Sequence, residues 1–197
     1  MMFFVVMVIV LGIFPIFMTL ISRANYSNVN NTSSNIDVTK SEHSQIITEE
    51  HVIFEAGKYY NESYCEEGLK ALLSLAENNL KYKINNNIDS STIKDELSDE
   101  FYNKLAKIYK SVDVSINYQN ECVYIPVSTL SKGYTKTNEK YPYIKSVASP
   151  WDCENDDFIH GKDYPSGISV NGINYLCKTG MNYKDALSWY LPDFEIK

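Results

Sequence analysis

No run of lysine or arginine interrupts the acidic balance of this chain, in which 18 Lys and Arg stand against 25 Asp and Glu for a formal charge of −7 over 197 residues. A phosphate backbone is held by clustered cations, so the composition argues against nucleic acid as a partner. Glycines number only 8 and never gather into a phosphate-cradling loop. No Gly-x-Ser-x-Gly elbow and no Cys/His arrangement sets a nucleophile beside a base. The three histidines (His43, His51, His160) are scattered and no CxxC or HxxxH pair exists, so neither a metal site nor a cofactor is expected. Four cysteines (Cys65, Cys122, Cys153, Cys177) are present at irregular spacing; outside the cytoplasm they allow two disulfides in any of three pairings, with buried free thiols an equal alternative. The chain is rich in tyrosine, with 16, and in Asn, Ile and Lys. Such a skew reads as genomic base composition before it reads as a carbohydrate-binding surface.

Charge is also missing from Met1 to Ser22, a nearly all-apolar stretch of the length that crosses hydrocarbon as a helix, about 20 residues. Gly12 and Pro15 are tolerated in such helices, and no basic leader or clean cleavage site marks a signal peptide. Residues 1–22 are therefore expected to remain as a transmembrane anchor, with the acidic remainder outside the cytoplasm. Residues 23–45, including Asn25-Tyr26-Ser27-Asn28 and Thr32-Ser33-Ser34-Asn35, are polar and aperiodic and read as a flexible linker. The folded part is expected over 46–197, long enough for one domain with its own core.

Within it, Leu69, Leu72, Leu73, Ala76, Leu80 and Ile84 recur at helical spacing and predict a helix with a one-sided apolar stripe over 66–84. Phe101, Leu105 and Ile108 predict a second helix, entered through acidic residues that suit a positive helix N-terminus. The period then changes to two. Val112, Val114, Ile116 and Tyr118 alternate with polar residues, Gln119-Asn120 is a turn, and Cys122 to Val127 reads as the returning strand of a hairpin. A further strand is expected over 143–147. Short helices are expected over 172–179 and 183–190, stopped by Gly180 and Pro192. The fold class expected is α+β, a small mixed sheet flanked by helices. Trp151 and Trp189 read as core residues, and Asp152, Glu154, Asp156 and Asp157 as a solvated acidic loop.

Three strings carry a resemblance. They are Tyr141-Pro142-Tyr143-Ile144-Lys145-Ser146-Val147-Ala148-Ser149-Pro150-Trp151-Asp152; Glu49-Glu50-His51-Val52 with Tyr59-Tyr60-Asn61-Glu62-Ser63-Tyr64-Cys65-Glu66-Glu67-Gly68-Leu69-Lys70-Ala71; and Gly167-Ile168-Ser169-Val170-Asn171-Gly172, followed by Lys178-Thr179-Gly180 and Tyr183-Lys184-Asp185-Ala186-Leu187. In that set the chain resembles the stage II sporulation protein D family, which includes the LytB amidase enhancers, from about residue 46 to the C-terminus. The second string is similar to the family's "EEYV" and "EMPASYPEEALKA", the third to its "GMSQYG". The resemblance implies the family's domain behind one membrane helix, acting on cell-wall peptidoglycan during engulfment in sporulation. It also implies lytic transglycosylase chemistry on glycan strands stripped of stem peptides, with those strands or sporulation membrane proteins as partners.

Such cleavage needs a carboxyl group that protonates the glycosidic oxygen and then acts as base. The family's acid is the Glu of "EMP", and the matching residue here is Tyr59, whose ordinary pKa near 10 makes it a poor substitute. Glu55 and Glu62 are the candidate replacements. The family's "HSTSGG" loop is matched by Val127-Ser128-Thr129-Leu130-Ser131-Lys132, so its histidine is Val127, and the Gln-Tyr of "GMSQYG" is Val170-Asn171. Ser128, Thr129, Trp151, Ser169 and Asn171 are the candidate substrate-binding residues that the resemblance implies. The segment between 153 and 166 is several dozen residues shorter than in the family. The leading expectation is a non-catalytic, membrane-anchored relative that binds glycan or a protein partner; a divergent transglycosylase and a decayed remnant are the alternatives.

Overall fold

The computed structural model describes residues 47–89, 97–137, 139–154 and 167–197, all within the compact unit Gln45–Lys197. The expected anchor over 1–22, the linker over 23–45 and nearly all of the shortened segment between 153 and 166 lie outside the described residues. No helix among the described residues is long and apolar enough to cross a membrane.

Helix α1, Glu49–Gly57, starts at Thr48, whose hydroxyl accepts from the backbone N–H of His51, with Glu49 and Glu50 in its positive first turn. Helix α2 runs Glu66–Asn85 and helix α3 Asp99–Tyr109, the latter capped by Ser98 as its acidic entry predicts. Helix α4, Val170–Lys178, is capped by Ser169, and helix α5, Tyr183–Tyr190, by Asn182. A 3-10 turn covers Pro150–Glu154.

The 20-residue α2 is the axis of the domain. On one side Leu69, Leu72, Leu73, Ala76 and Leu80 pack with Val52, Ile53 and Ala56 of α1 and Leu105 and Ile108 of α3. On the other, Ala71 and Leu75 join Ile116, Ile125, Ile144, Ile168, Ile173, Leu187 and Tyr190. The expected one-sided stripe is thus a helix buried on two faces. Its buried Asn78 and Asn79 are the reason the expected hairpin is not a ladder. Asn78 donates to the Val123 carbonyl at 2.9 Å, and Asn79 both donates to the Ile125 carbonyl and accepts from the Ile125 N–H at 2.8 Å. Side-chain amides of a helix therefore hold the backbone groups that a partner strand would have used.

The turn itself exists. Gln119 and Asn120 adopt left-handed φ values of 52° and 67°, and Tyr118 and Glu121 exchange backbone hydrogen bonds across it. Beyond it the chain pairs elsewhere: β1 (Ile116–Asn117) lies antiparallel to β4 (Glu195–Ile196), and β2 (Val127–Ser128) parallel to β3 (Ile168–Ser169). The expected strand over 143–147 is a loop, tied to Thr135 by the Val147 N–H and the Lys145 carbonyl, and anchored in the core by Ile144. The class is α+β, mixed helices with two small strand pairs among the described residues.

Candidate functional site

The parallel pairing of β2 with β3 places the 128–131 loop against the start of α4, and the 3-10 turn at 150–154 closes over both. Asp152, expected on a solvated loop, is 2% exposed at that junction. Its Oδ2 accepts from the Ser131 N–H at 2.9 Å, the Ser131 hydroxyl at 2.6 Å and the Ser149 hydroxyl at 2.8 Å, while Oδ1 accepts from the Ser169 hydroxyl at 3.0 Å. Ser169 uses the same oxygen to accept from the Gly172 N–H and cap α4. With the Ser149 proton given to Asp152, Tyr190 donates to the Ser149 oxygen at 2.6 Å and accepts from the Trp151 indole N–H at 3.0 Å. One relay thus runs from Trp151 through Tyr190 and Ser149 to the carboxylate. Burial pushes the Tyr190 phenol well up, although its bond to Ser149 works the other way.

Above this buried knot opens a cleft of about 240 Å³. One wall is the bend before α2, with Asn61, Ser63 and Tyr64; the other is α4, with Asn171, Asn174, Tyr175 and Lys178. Leu130, Trp151 and Asp152 also line it. Tyr64 donates to Asn171 Oδ1 and joins the two walls, and burial followed by the nearby Asp152 charge pushes its phenol up. The Trp151 and Tyr175 rings stack at 5.4 Å with an interplanar angle of 7°, and Trp189 leans on Trp151 at 5.9 Å.

Of the residues singled out by sequence, Trp151, Ser169 and Asn171 come together here. Ser128 is buried beside them and donates to the Leu130 carbonyl, whereas Thr129 is exposed and contributes its carbonyl to the Asn171 N–H at 3.1 Å. Trp151 is half-buried and packs against the core, whereas Trp189 is 43% exposed and is not the core residue expected. Tyr59, Glu55 and Glu62 are not among the residues lining the cleft. Tyr59 packs on the cluster between α1, α2 and α3, its phenol pushed up by burial and by Glu55. Glu55 is buried between Lys58 at 2.6 Å and Lys83 at 2.9 Å. Burial alone would raise its carboxyl, but the two ammonium groups outweigh it and hold the group below its ordinary range. Glu62 is exposed to solvent.

Compared with models of protein families and with curated proteins, the chain matches none.

The four cysteines are unbridged in this structure, and among the described residues no group of three or more His, Cys, Asp or Glu could hold a metal. Sequence reasoning missed Asn61, Ser63, Tyr64, Asn174, Tyr175 and Lys178 as cleft residues. A signal existed for some of them: Asn171, Asn174, Tyr175 and Lys178 fall at i, i+3, i+4 and i+7, a hydrogen-bonding stripe along one face of a helix.

Proposed function

We propose that this chain is a membrane-anchored, non-catalytic relative of the stage II sporulation protein D family that binds peptidoglycan glycan outside the cytoplasm. The observation that carries the reading is the makeup of the cleft: amides, hydroxyls and a stacked aromatic pair surround one carboxylate whose two oxygens already accept four hydrogen bonds. A pyranose presents an apolar face that packs on an aromatic ring and a rim of hydroxyl and acetamido groups that bond to Asn and Ser. A volume of about 240 Å³ is below the roughly 300–1,000 Å³ of drug-sized pockets and suits one ring of a strand that continues beyond it.

The three strings that carry the resemblance also meet at this place. Ser149, Trp151 and Asp152 come from the first, Tyr64 from the second, and Ser169, Asn171 and Gly172 from the third. Among the described residues the carboxyl group that lines the cleft is Asp152, whose oxygens are already engaged by four donors. Full-length chain in detergent micelles should sediment with peptide-stripped glycan strands and release no anhydro-sugar ends. Turnover abolished by Glu55→Gln or Glu62→Gln would make it an enzyme with a displaced acid, and absence of any strand binding would overturn the glycan reading.

A further inference from the structure

Helices α2 and α4 touch backbone to backbone at one point: a Cβ on Gly68 would lie 3.2 Å from the Asn174 Cα and 2.5 Å from its Oδ1. The residue that opens α5, Tyr183, donates its N–H to Glu67 in the first turn of α2, which ties the chain beyond α4 to the start of α2. Beside the crossing stand Cys65, the residue that precedes α2 and lies three positions before Gly68, and Cys177 on α4, three positions after Asn174. The Cys65 N–H donates to Asn174 Oδ1 at 2.9 Å, and Cys65 packs against the apolar cluster that contains Cys177.

We infer that Cys65 and Cys177 form a disulfide that staples the two walls of the cleft, made by exchange with a disulfide-bearing donor. The placement gives the bridge its consequence: Cys65 directly follows the cleft residue Tyr64, and Cys177 directly precedes the cleft residue Lys178, one on each wall. The other two thiols are placed differently. Cys122 donates toward the Asn78 carbonyl and side chain, and Cys153 sits exposed under Gly133.

The chemistry is two successive exchanges. The half-buried Cys65, as thiolate, attacks one donor sulfur, and the other leaves and takes up a proton. Cys177 then loses its proton and attacks the Cys65 sulfur of the mixed disulfide, expelling the second donor thiol. Two protein thiols are oxidised and one donor disulfide is reduced to two thiols. Burial and the nearby Glu67 charge, which persist in the mixed disulfide, hold the Cys177 thiol above its ordinary range and make the second exchange the slow one.

The test is full-length chain in detergent micelles exposed to oxidised glutathione, then unfolded, alkylated and digested without reductant. Titratable thiols should fall from four to two, with a linked peptide joining Cys65 to Cys177 and both Cys122 and Cys153 recovered alkylated. A Cys122→Ser/Cys153→Ser double variant should close at the unchanged rate. Recovery of Cys177 as an alkylated thiol, a bridge from Cys65 to Cys122 or Cys153, or failure of the double variant to close would overturn the assignment. None of these readouts involves glycan, so the cross-link and the glycan reading stand or fall separately.

Discussion

Replacing Asp152 by alanine removes the acceptor of four hydrogen bonds from a residue only 2% exposed. The four donors do not lose equally. Ser149 retains Tyr190 at 2.6 Å, and Ser169 can turn to the Thr129 carbonyl at 3.4 Å. The N–H and the hydroxyl of Ser131, itself 5% exposed, both depend on Asp152. At about 1–3 kcal/mol for each buried donor left unpaired, two such donors and two weakened ones cost about 3–5 kcal/mol. Asp152→Asn separates this account from a mere loss of bulk. An amide keeps one carbonyl oxygen for the three bonds at Oδ2 and turns its NH₂ toward Ser169, which passes its own proton to Thr129; the expected cost is about 1 kcal/mol. Guanidinium unfolding of the full chain in micelles, followed by tryptophan emission, reads the difference, because Trp151 hangs on the same relay. Asp152→Ala within about 0.5 kcal/mol of wild type, or Asp152→Asn as damaging as Asp152→Ala, would refute the reasoning.

Gly172→Ala should destabilise by about 3 kcal/mol or more, since the added Cβ would stand 1.9 Å from the Tyr190 hydroxyl and 2.7 Å from Ser149 Oγ; the same denaturation experiment checks it. Gly180→Ala meets no atom within 4 Å and suffers only from its φ of 106°, so its cost should be smaller, about 1 kcal/mol. Glu55 sets an acid limb. Its folded pKa lies below the ordinary 4.5, so its stabilising contribution is complete above that value and is lost as pH falls through the folded pKa; thermal midpoints between about pH 3 and 6 should fall less steeply in Glu55→Gln than in wild type. Tyr175→Ala should weaken glycan-strand binding about tenfold while leaving stability nearly unchanged, because this ring is 40% exposed and its face serves the stack with Trp151.

Long periodic elements were legible in the sequence. Helices α2, α3 and α5 fall where Leu69 to Leu80, Phe101 to Ile108 and Tyr183 to Tyr190 place them, because apolar residues at helical spacing have few other ways to be buried together. Helix α1 was not read, although Thr48 with Glu49 and Glu50 is an N-terminal signature followed by buried Val52, Ile53 and Ala56. The strands depend on long-range contacts. The alternation at 112–118 and the run at 122–127 are real, but whether such segments pair with each other depends on what else offers hydrogen bonds, and Asn78 and Asn79 lie some 45 residues upstream. The burial of Asp152 has a related cause. An acidic residue within an acidic loop reads as solvated, and only the fold brings Ser131, Ser149 and Ser169 around it.

The tyrosine at position 59 is poorly suited to give up a proton. A general acid must release its proton near neutral pH, whereas burial and the Glu55 charge make the Tyr59 phenol hold its proton more tightly than a free tyrosine does. The nearest carboxylate is no substitute, because Lys58 and Lys83 keep Glu55 ionised and bound in an ion cluster, with no proton to offer. The residues around the cleft follow a different logic. Trp151, Ser169 and Asn171 are held by Tyr190, Asp152 and Tyr64, groups that also fix the start of α4 and its contact with the bend before α2. Stability therefore depends on the groups that shape the cleft and not on the presence of a proton donor at position 59. A chain under pressure only to fold would keep the cleft's framework whether or not it cleaved anything, which is why strand binding and strand cleavage have to be measured as separate quantities.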